Sequence, residues 1–162
     1  MLSLNKTGKV AGNILLGRMY SYKYFALPEE PLFDLFPIVL VTDVSSRWFE
    51  GLNLHYLDIE RRRELFPLLN KFIKKRDGGK YFVANEFKKI LYTKTFRLAQ
   101  VCLKRYRKSN IIGRNFRIKD EIWESMLYED RERFLSYTSG SSFRTIKSPF
   151  VWRESLRKSR GM

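Results

Sequence analysis

The sequence predicts an α+β fold: a small, strongly curved antiparallel β-sheet, barrel-like in form, with inserted helices and extended terminal arms. Three observations lead there. Three strand-like runs follow one another at hairpin spacing between Met19 and Tyr56. From Ile59 to Arg107 apolar residues recur at helical spacing instead. The two ends are punctuated by Gly, Asn, Ser and Thr rather than patterned. A length of 162 residues is one domain's worth, so the chain divides into an N-terminal arm (1–17), a single α+β domain (18–135) and a C-terminal arm (136–162).

The elements follow in order. Met1 to Gly17 carries Gly8, Gly12 and Asn13 among only a few strongly apolar residues, and reads as an arm that orders against a partner. In Met19–Phe25, Tyr20, Tyr22 and Tyr24 recur with period two, the mark of a strand with one aromatic face. Pro28 and Pro31 break it, and the β-branched run Phe36–Val41 reads as a buried strand. Trp48–Tyr56 is the third strand, with Gly51 marking a bulge or a close backbone approach. Asp58 is placed to cap a helix over Ile59–Lys75, with a kink expected at Pro67 and an end at Asp77-Gly78-Gly79. Tyr81–Arg107 reads as helical with a break near Tyr92–Thr95, and Ile111–Ile118 as a fourth strand. Asp120 is placed to cap a short helix carrying Trp123, and Ser136 onwards reads as a second arm ending in a basic tail.

Charge is the outstanding property. Thirty-two Lys and Arg stand against seventeen Asp and Glu, a net +15. From Arg61 to Lys119 there are nineteen basic residues and only three acids, Glu64, Asp77 and Glu86, so the excess sits in the middle of the chain. Solubility alone does not demand that asymmetry; an anionic partner does. The dense clusters are Arg61, Arg62 and Arg63; Lys74, Lys75 and Arg76; Lys88 and Lys89; and Lys104, Arg105, Arg107 and Lys108. Lys94, Arg97, Arg114 and Arg117 extend them, with Tyr81, Tyr92 and Tyr106 between. Cations that track a backbone with aromatic residues interleaved suit nucleic acid, and without a base-reading motif the expected contacts are to phosphate, with no sequence preference. Each cluster taken singly also fits a solvated helix face.

The sequence carries no nucleotide-binding glycine loop, zinc-protease motif or nucleophile elbow, and no cofactor or metal is expected. One cysteine, Cys102, leaves no internal disulfide, and its apolar surroundings make it a core residue. The single histidine, His55, reads as a packed or hydrogen-bonded sheet residue. Asp58, Glu60 and Glu64 are the nearest carboxylates to a two-metal nuclease set, but also fit ordinary helix-start electrostatics. No apolar run approaches the roughly 20 residues of a membrane helix. The Ile14–Leu16 cluster is too short for a signal-peptide core. The expectation is a non-enzymatic protein of a reducing, cytoplasmic-type compartment that does not contact membrane.

The succession Met19-Tyr20-Ser21-Tyr22-Lys23-Tyr24, Asp34-Leu35-Phe36-Pro37-Ile38-Val39-Leu40 and Gly51-Leu52-Asn53-Leu54-His55-Tyr56-Leu57 resembles a small virion protein of T4-like tailed bacteriophages, the DNA end protector family. The resemblance continues through Arg114-Asn115-Phe116-Arg117-Ile118, Trp123 with Phe134, and Val151-Trp152-Arg153-Glu154-Ser155, and covers most of the chain. It departs where relatives carry prolines after the Tyr-Leu pair, since Asp58 and Ile59 stand here, and where they place Leu-Pro after the tryptophan helix, since Leu127-Tyr128 stands here. The resemblance implies a structural component made in the host cytoplasm and carried in the virion. It would contact DNA or neighbouring subunits at the head–tail or tail-end assembly, as one part of a multi-subunit structure. Independently of the resemblance, Phe150, Trp152 and Arg153 in the polar tail read either as an anchor docking on a neighbouring subunit or as a segment that folds back on the domain. The alternative is a tail baseplate or hub subunit whose basic face docks acidic protein, and a third is a DNA-processing enzyme.

Overall fold

Alternation and β-branching in the first third of the chain produce strands, and those over Met19–Tyr24 and Ile38–Val44 are buried on both sides for most of their length. A computed structural model describes residues 8–11, 13–26, 29–30, 32–76, 79–128, 134–138 and 142–146. The first strands are β1 (Gly8–Ala11), β2 (Met19–Tyr24), β3 (Leu32–Asp34), β4 (Ile38–Val44) and β5 (Trp48–Asn53). A single helical turn, Leu54–Tyr56, leads to α1 (Ile59–Asn70) and a two-stranded hairpin, β6 (Ile73–Arg76) and β7 (Gly79–Phe82). Then come α2 (Ala84–Ile90), α3 (Arg97–Cys102), β8 (Leu103–Arg107), β9 (Ile111–Ile118), α4 (Trp123–Tyr128), β10 (Phe134–Thr138) and β11 (Ser142–Ile146).

The architecture is mixed α and β, with an antiparallel main sheet in the order β1-β9-β2-β4-β5-β8. No pairing joins β1 to β8 among the described residues, so the sheet is open where the sequence suggested barrel-like closure. A second sheet runs β11-β10-β3, and β6-β7 stand as a separate ribbon.

The main sheet separates two cores. One face carries Met19, Ile38, Leu40, Leu52 and Ile118, covered by Leu65, Phe66 and Leu69 of α1, Phe87 of α2, Ala99 and Cys102 of α3, and Trp123 of α4. The other carries Tyr20, Tyr22, Tyr24, Val39, Val41, Phe49 and Tyr106, covered by Ile14, Ala26 and Phe33. Burial on both faces is why β4 reads as an unbroken apolar run rather than an alternating one. The rings of Tyr22, Phe49 and Tyr106 meet at centroid distances of 5.4–5.7 Å. Phe72, Phe82, Phe87 and Phe96 form a second cluster on the helical side. Much of the aromatic load is therefore core, in the edge-to-face geometry that rings prefer.

Gly51 sits where β4 crowds β5. A β-carbon there would fall 2.2 Å from Val39 Cγ1 and 2.7 Å from the Leu40 carbonyl oxygen, and the β4–β5 register slips between Val41 and Asp43 beside it. Of the two readings of Gly51, the close approach is present; the bulge falls on the facing strand, at Thr42 of β4. Asp58 caps α1 as expected, accepting from the Arg61 amide at 3.0 Å. Trp123 is buried, its Nε1 donating to the Ile118 carbonyl at 3.2 Å.

Three expectations need correcting. The first helix stops at Asn70, and Ile73–Arg76 is a strand paired with Gly79–Phe82. Tyr81–Arg107 is not one helical segment: it begins in β7 and ends in β8, whose pairing with β5 sets Trp48 opposite Arg107 and Leu52 opposite Leu103. The stretches read as arms also hold strands. Within 1–17, Gly8–Ala11 pair with Asn115–Ile118, and Ile14 joins the tyrosine core. At the other end, β10, which begins at Phe134 and runs into 136–162, forms a hairpin with β11 and pairs with β3. Residues 1–7 and 147–162, with Phe150, Trp152 and Arg153, lie outside the described residues.

Candidate nucleic-acid interface

The cations grouped by sequence do not form one helical stripe. The three adjacent arginines at the start of α1 have three different environments. Arg61 pairs with Asp58 one turn earlier. Arg62 is fully buried, and its Nε donates to the carbonyls of Leu54 at 2.8 Å and Leu57 at 3.0 Å. It braces the turn that joins β5 to α1 and offers no surface to a ligand, which corrects its place among the binding residues. Arg63 is exposed.

Other predicted cations are engaged within the chain. Lys88 lies 3.3 Å from Asp43. Arg105 donates from Nη2 to Glu50 at 2.6 Å and stacks its guanidinium 4.1 Å from the Trp48 ring. Asp43 and Glu50 are directly opposed across β4 and β5, so each cation relieves a like-charge contact. A cleft of about 230 Å³ opens beside them, floored by Phe87, Leu91 and Leu103. Its two carboxylates are already matched by two cations. Lys104, half-buried, sits 4.3 Å over the Tyr56 ring. Arg117 is half-buried and faces Tyr20 across β9 and β2.

Lys89, Lys94, Arg97, Arg107 and Arg114 are exposed, on α2, the turn before α3, α3, β8 and β9, and Lys108 is half-buried. Among the described residues, strand pairing brings one of the dense clusters together with a further cation, Lys80. On the β6–β7 ribbon Lys75 lies opposite Lys80, Lys74 opposite Tyr81, and Arg76 opposite Gly79. Residues opposed across an antiparallel pair share a face. Lys75 and Lys80 therefore occupy one side, while Lys74 and Arg76 flank Tyr81 on the other. The Arg76 guanidinium lies 4.3 Å from the Tyr81 ring centre, a cation–π contact that orders it.

The ribbon is held to the domain along β7, from its base at Phe82 to its turn end at Gly79 and Lys80. The Phe82 amide donates to the Gly17 carbonyl at 2.7 Å, the Val83 amide to the Phe72 carbonyl at 2.8 Å, and the Lys80 amide to the Asp120 carboxylate at 2.8 Å. Arg18 donates to the Lys80 carbonyl. Gly79 has φ +99°, and a β-carbon there would overlap Asp120 Oδ2 at 1.8 Å, so only glycine admits the anchoring carboxylate. The Asp120 side chain thus pins the ribbon rather than capping the helix after it. Sequence reasoning left Lys80 out of the interface. The signal was present, because Asp-Gly-Gly is a turn signature as well as a helix stop, and a hairpin read there would set Lys80 across from Lys75.

The titratable groups of the interior form a separate cluster. His55 Nδ1 lies 2.6 Å from Asp34 Oδ2, and Asn53 Nδ2 donates to the same oxygen at 3.0 Å and to the Tyr106 hydroxyl at 3.2 Å. The other Asp34 oxygen accepts from the Phe36 amide at 3.1 Å. Asp34, Asn53, His55 and Tyr106 are all buried, so this network ties β3 to β5 and β8 from inside. Burial, the largest cause, raises the phenols of Tyr22, Tyr56 and Tyr106 well above the usual tyrosine value, with Asp34 adding in the same direction. Desolvation likewise pushes the Cys102 thiol up to about 12, so it stays protonated and packed. Among the described residues no three His, Cys, Asp or Glu side chains converge to hold a metal, and no helix is long and apolar enough to cross a membrane. Compared with known proteins, the chain matches no family model, no curated protein and no solved structure.

Proposed function

We propose that this chain is a non-enzymatic virion component of a tailed bacteriophage that contacts the phosphate backbone of duplex DNA at the head–tail or tail-end assembly, beside other virion subunits. The observation that carries the DNA reading is the β6–β7 ribbon. Lys74, Lys75, Arg76 and Lys80 project from both faces of a short, anchored hairpin, and among the described residues none is paired with a carboxylate. Exposed Arg63, Lys89, Lys94, Arg97, Arg107 and Arg114 add positive charge around the domain. Phosphate binding draws on such unmatched cations through counterion release. The virion assignment rests on the resemblance carried by the Tyr20–Tyr24 and Gly51–Leu57 segments.

The test is binding of the purified chain to a duplex of mixed sequence across a salt series. The expected result is sequence-indifferent binding whose log–log salt slope is about −0.9 for each phosphate neutralised. Negligible binding at moderate salt refutes the DNA reading and directs the basic surface to acidic protein, as in a baseplate or hub subunit.

A further inference from the structure

We infer that the β6–β7 ribbon enters the major groove of B-form duplex DNA, with Lys75 and Lys80 facing one phosphate wall and Lys74 and Arg76 the other. The inference rests on the DNA reading above and adds the geometry of contact. A two-stranded ribbon has strands about 4.8 Å apart, and with side chains it fills a groove about 12 Å wide. With β7 held against the domain, β6 is the leading edge, and its four residues span about 13 Å along the groove. Cations on both faces match a groove bounded by phosphates on both sides, where a flat surface patch would carry them on one.

The competing explanation is that lysines on an exposed edge strand block unwanted strand pairing. It accounts for Lys74 and Lys75 on β6. It does not account for Lys80, which lies on β7, where the backbone is held by Gly17, Arg18 and Asp120. Nor does it account for the pinning of β7 along its length. That anchoring fixes the ribbon before any partner arrives and lowers the ordering cost of binding.

The experiment uses the full chain and two variants, Lys74→Ser/Lys75→Ser/Arg76→Ser on the ribbon and Arg63→Ser/Lys89→Ser/Arg97→Ser away from it, each checked by circular dichroism and thermal melting. Binding to a B-form DNA duplex is compared with binding to an RNA duplex of equal length and charge, whose major groove is deep and narrow. The expected result is that the ribbon variant loses about 2.7 from the salt slope and about two orders of magnitude in affinity at 0.2 M salt. The other variant should lose clearly less, and the wild-type chain should bind DNA at least tenfold more tightly than RNA. Equal loss in both variants, or a folded ribbon variant that binds like wild type, overturns the inference and leaves the DNA reading standing. Loss confined to the ribbon variant with equal affinity for the two duplexes overturns groove entry in favour of surface contact. A wild-type chain that binds neither duplex overturns both readings.

Discussion

Replacing Arg62 by Met tests whether a cation within the basic region has a structural task. The side chain is fully buried, and its Nε holds the carbonyls of Leu54 and Leu57. The Leu54 carbonyl also accepts from the Leu57 amide at 2.9 Å, so it keeps a partner in the variant. The single Nε hydrogen is shared between the two carbonyls, so the variant loses one bifurcated charge-assisted bond, about 1.5–3 kcal/mol, and takes a partner from the buried Leu57 carbonyl at about 1–3 kcal/mol more. Removing a buried charge relieves desolvation, and the Met side chain refills most of the stem's volume, which offsets part of that cost. The expected net loss is about 2–4 kcal/mol, or roughly 5–15 °C in Tm for a chain of this size. Arg63→Met, one residue on and exposed, should stay within about 0.5 kcal/mol of wild type. Urea melts followed by far-UV circular dichroism give both values. The Arg62→Met protein that remains folded should bind DNA with the wild-type salt slope. A variant as stable as wild type, or a folded one with a reduced slope, would refute the bracing role.

Gly51→Ala should cost about 2–4 kcal/mol in a denaturant melt, because the new methyl meets both the Val39 side chain and unyielding Leu40 backbone; an unchanged midpoint would count against the close approach. Asp34→Ala should cost about 3–5 kcal/mol, since it takes an acceptor from His55, Asn53 and the Phe36 amide together. Asp34→Asn, which keeps one acceptor oxygen, should lose less in the same melt. Spectrophotometric titration should find the phenols of Tyr22, Tyr56 and Tyr106 resisting ionisation at pH 10–11 in the folded chain. Their folded pKa values lie above the unfolded value, so the folded state holds the protons longer. Their stabilising contribution is complete below about pH 10 and falls as the pH rises above it. Nine tyrosines titrating together near pH 10 without unfolding would contradict that burial.

Legibility varied with the source of each element's stability. The strands β2, β4 and β5 were visible because the tyrosine alternation and the β-branched run are what a sheet buried on both faces requires. Asp58 and Gly51 were visible because capping and close approach are local demands on one residue type. The β6–β7 ribbon was hidden because Phe72 and Ile73 continue the helical spacing of α1, and a Gly-Gly pair ends a helix as readily as it turns a hairpin. β8 was hidden because Leu98, Val101 and Cys102 lead smoothly into Leu103, and only pairing with β5 extends the chain there. Arg62 could have been separated from its neighbours. Together with Leu65, Phe66 and Leu69 it occupies the i, i+3, i+4, i+7 positions that face the core. The pairing of Asp34 with His55 spans 21 residues and left no local mark. The β10–β11 hairpin carries Phe134, Leu135, Tyr137, Phe143 and Ile146, but these are interspersed with Ser, Thr and Gly, and that punctuation made the stretch read as an arm.

The burial of Cys102 makes the folded chain chemically silent towards thiol reagents. It is the only cysteine, fully enclosed between α3 and the main sheet, with its thiolate strongly disfavoured. Alkylation therefore waits for the helical layer to lift from the sheet, and under mild conditions its rate is the reagent's intrinsic rate multiplied by the fraction of molecules open. The native sequence thus carries a built-in clock for core opening. Any cysteine introduced on the surface would be labelled first and alone, so a fluorophore on the ribbon could report DNA contact without removal of a native residue.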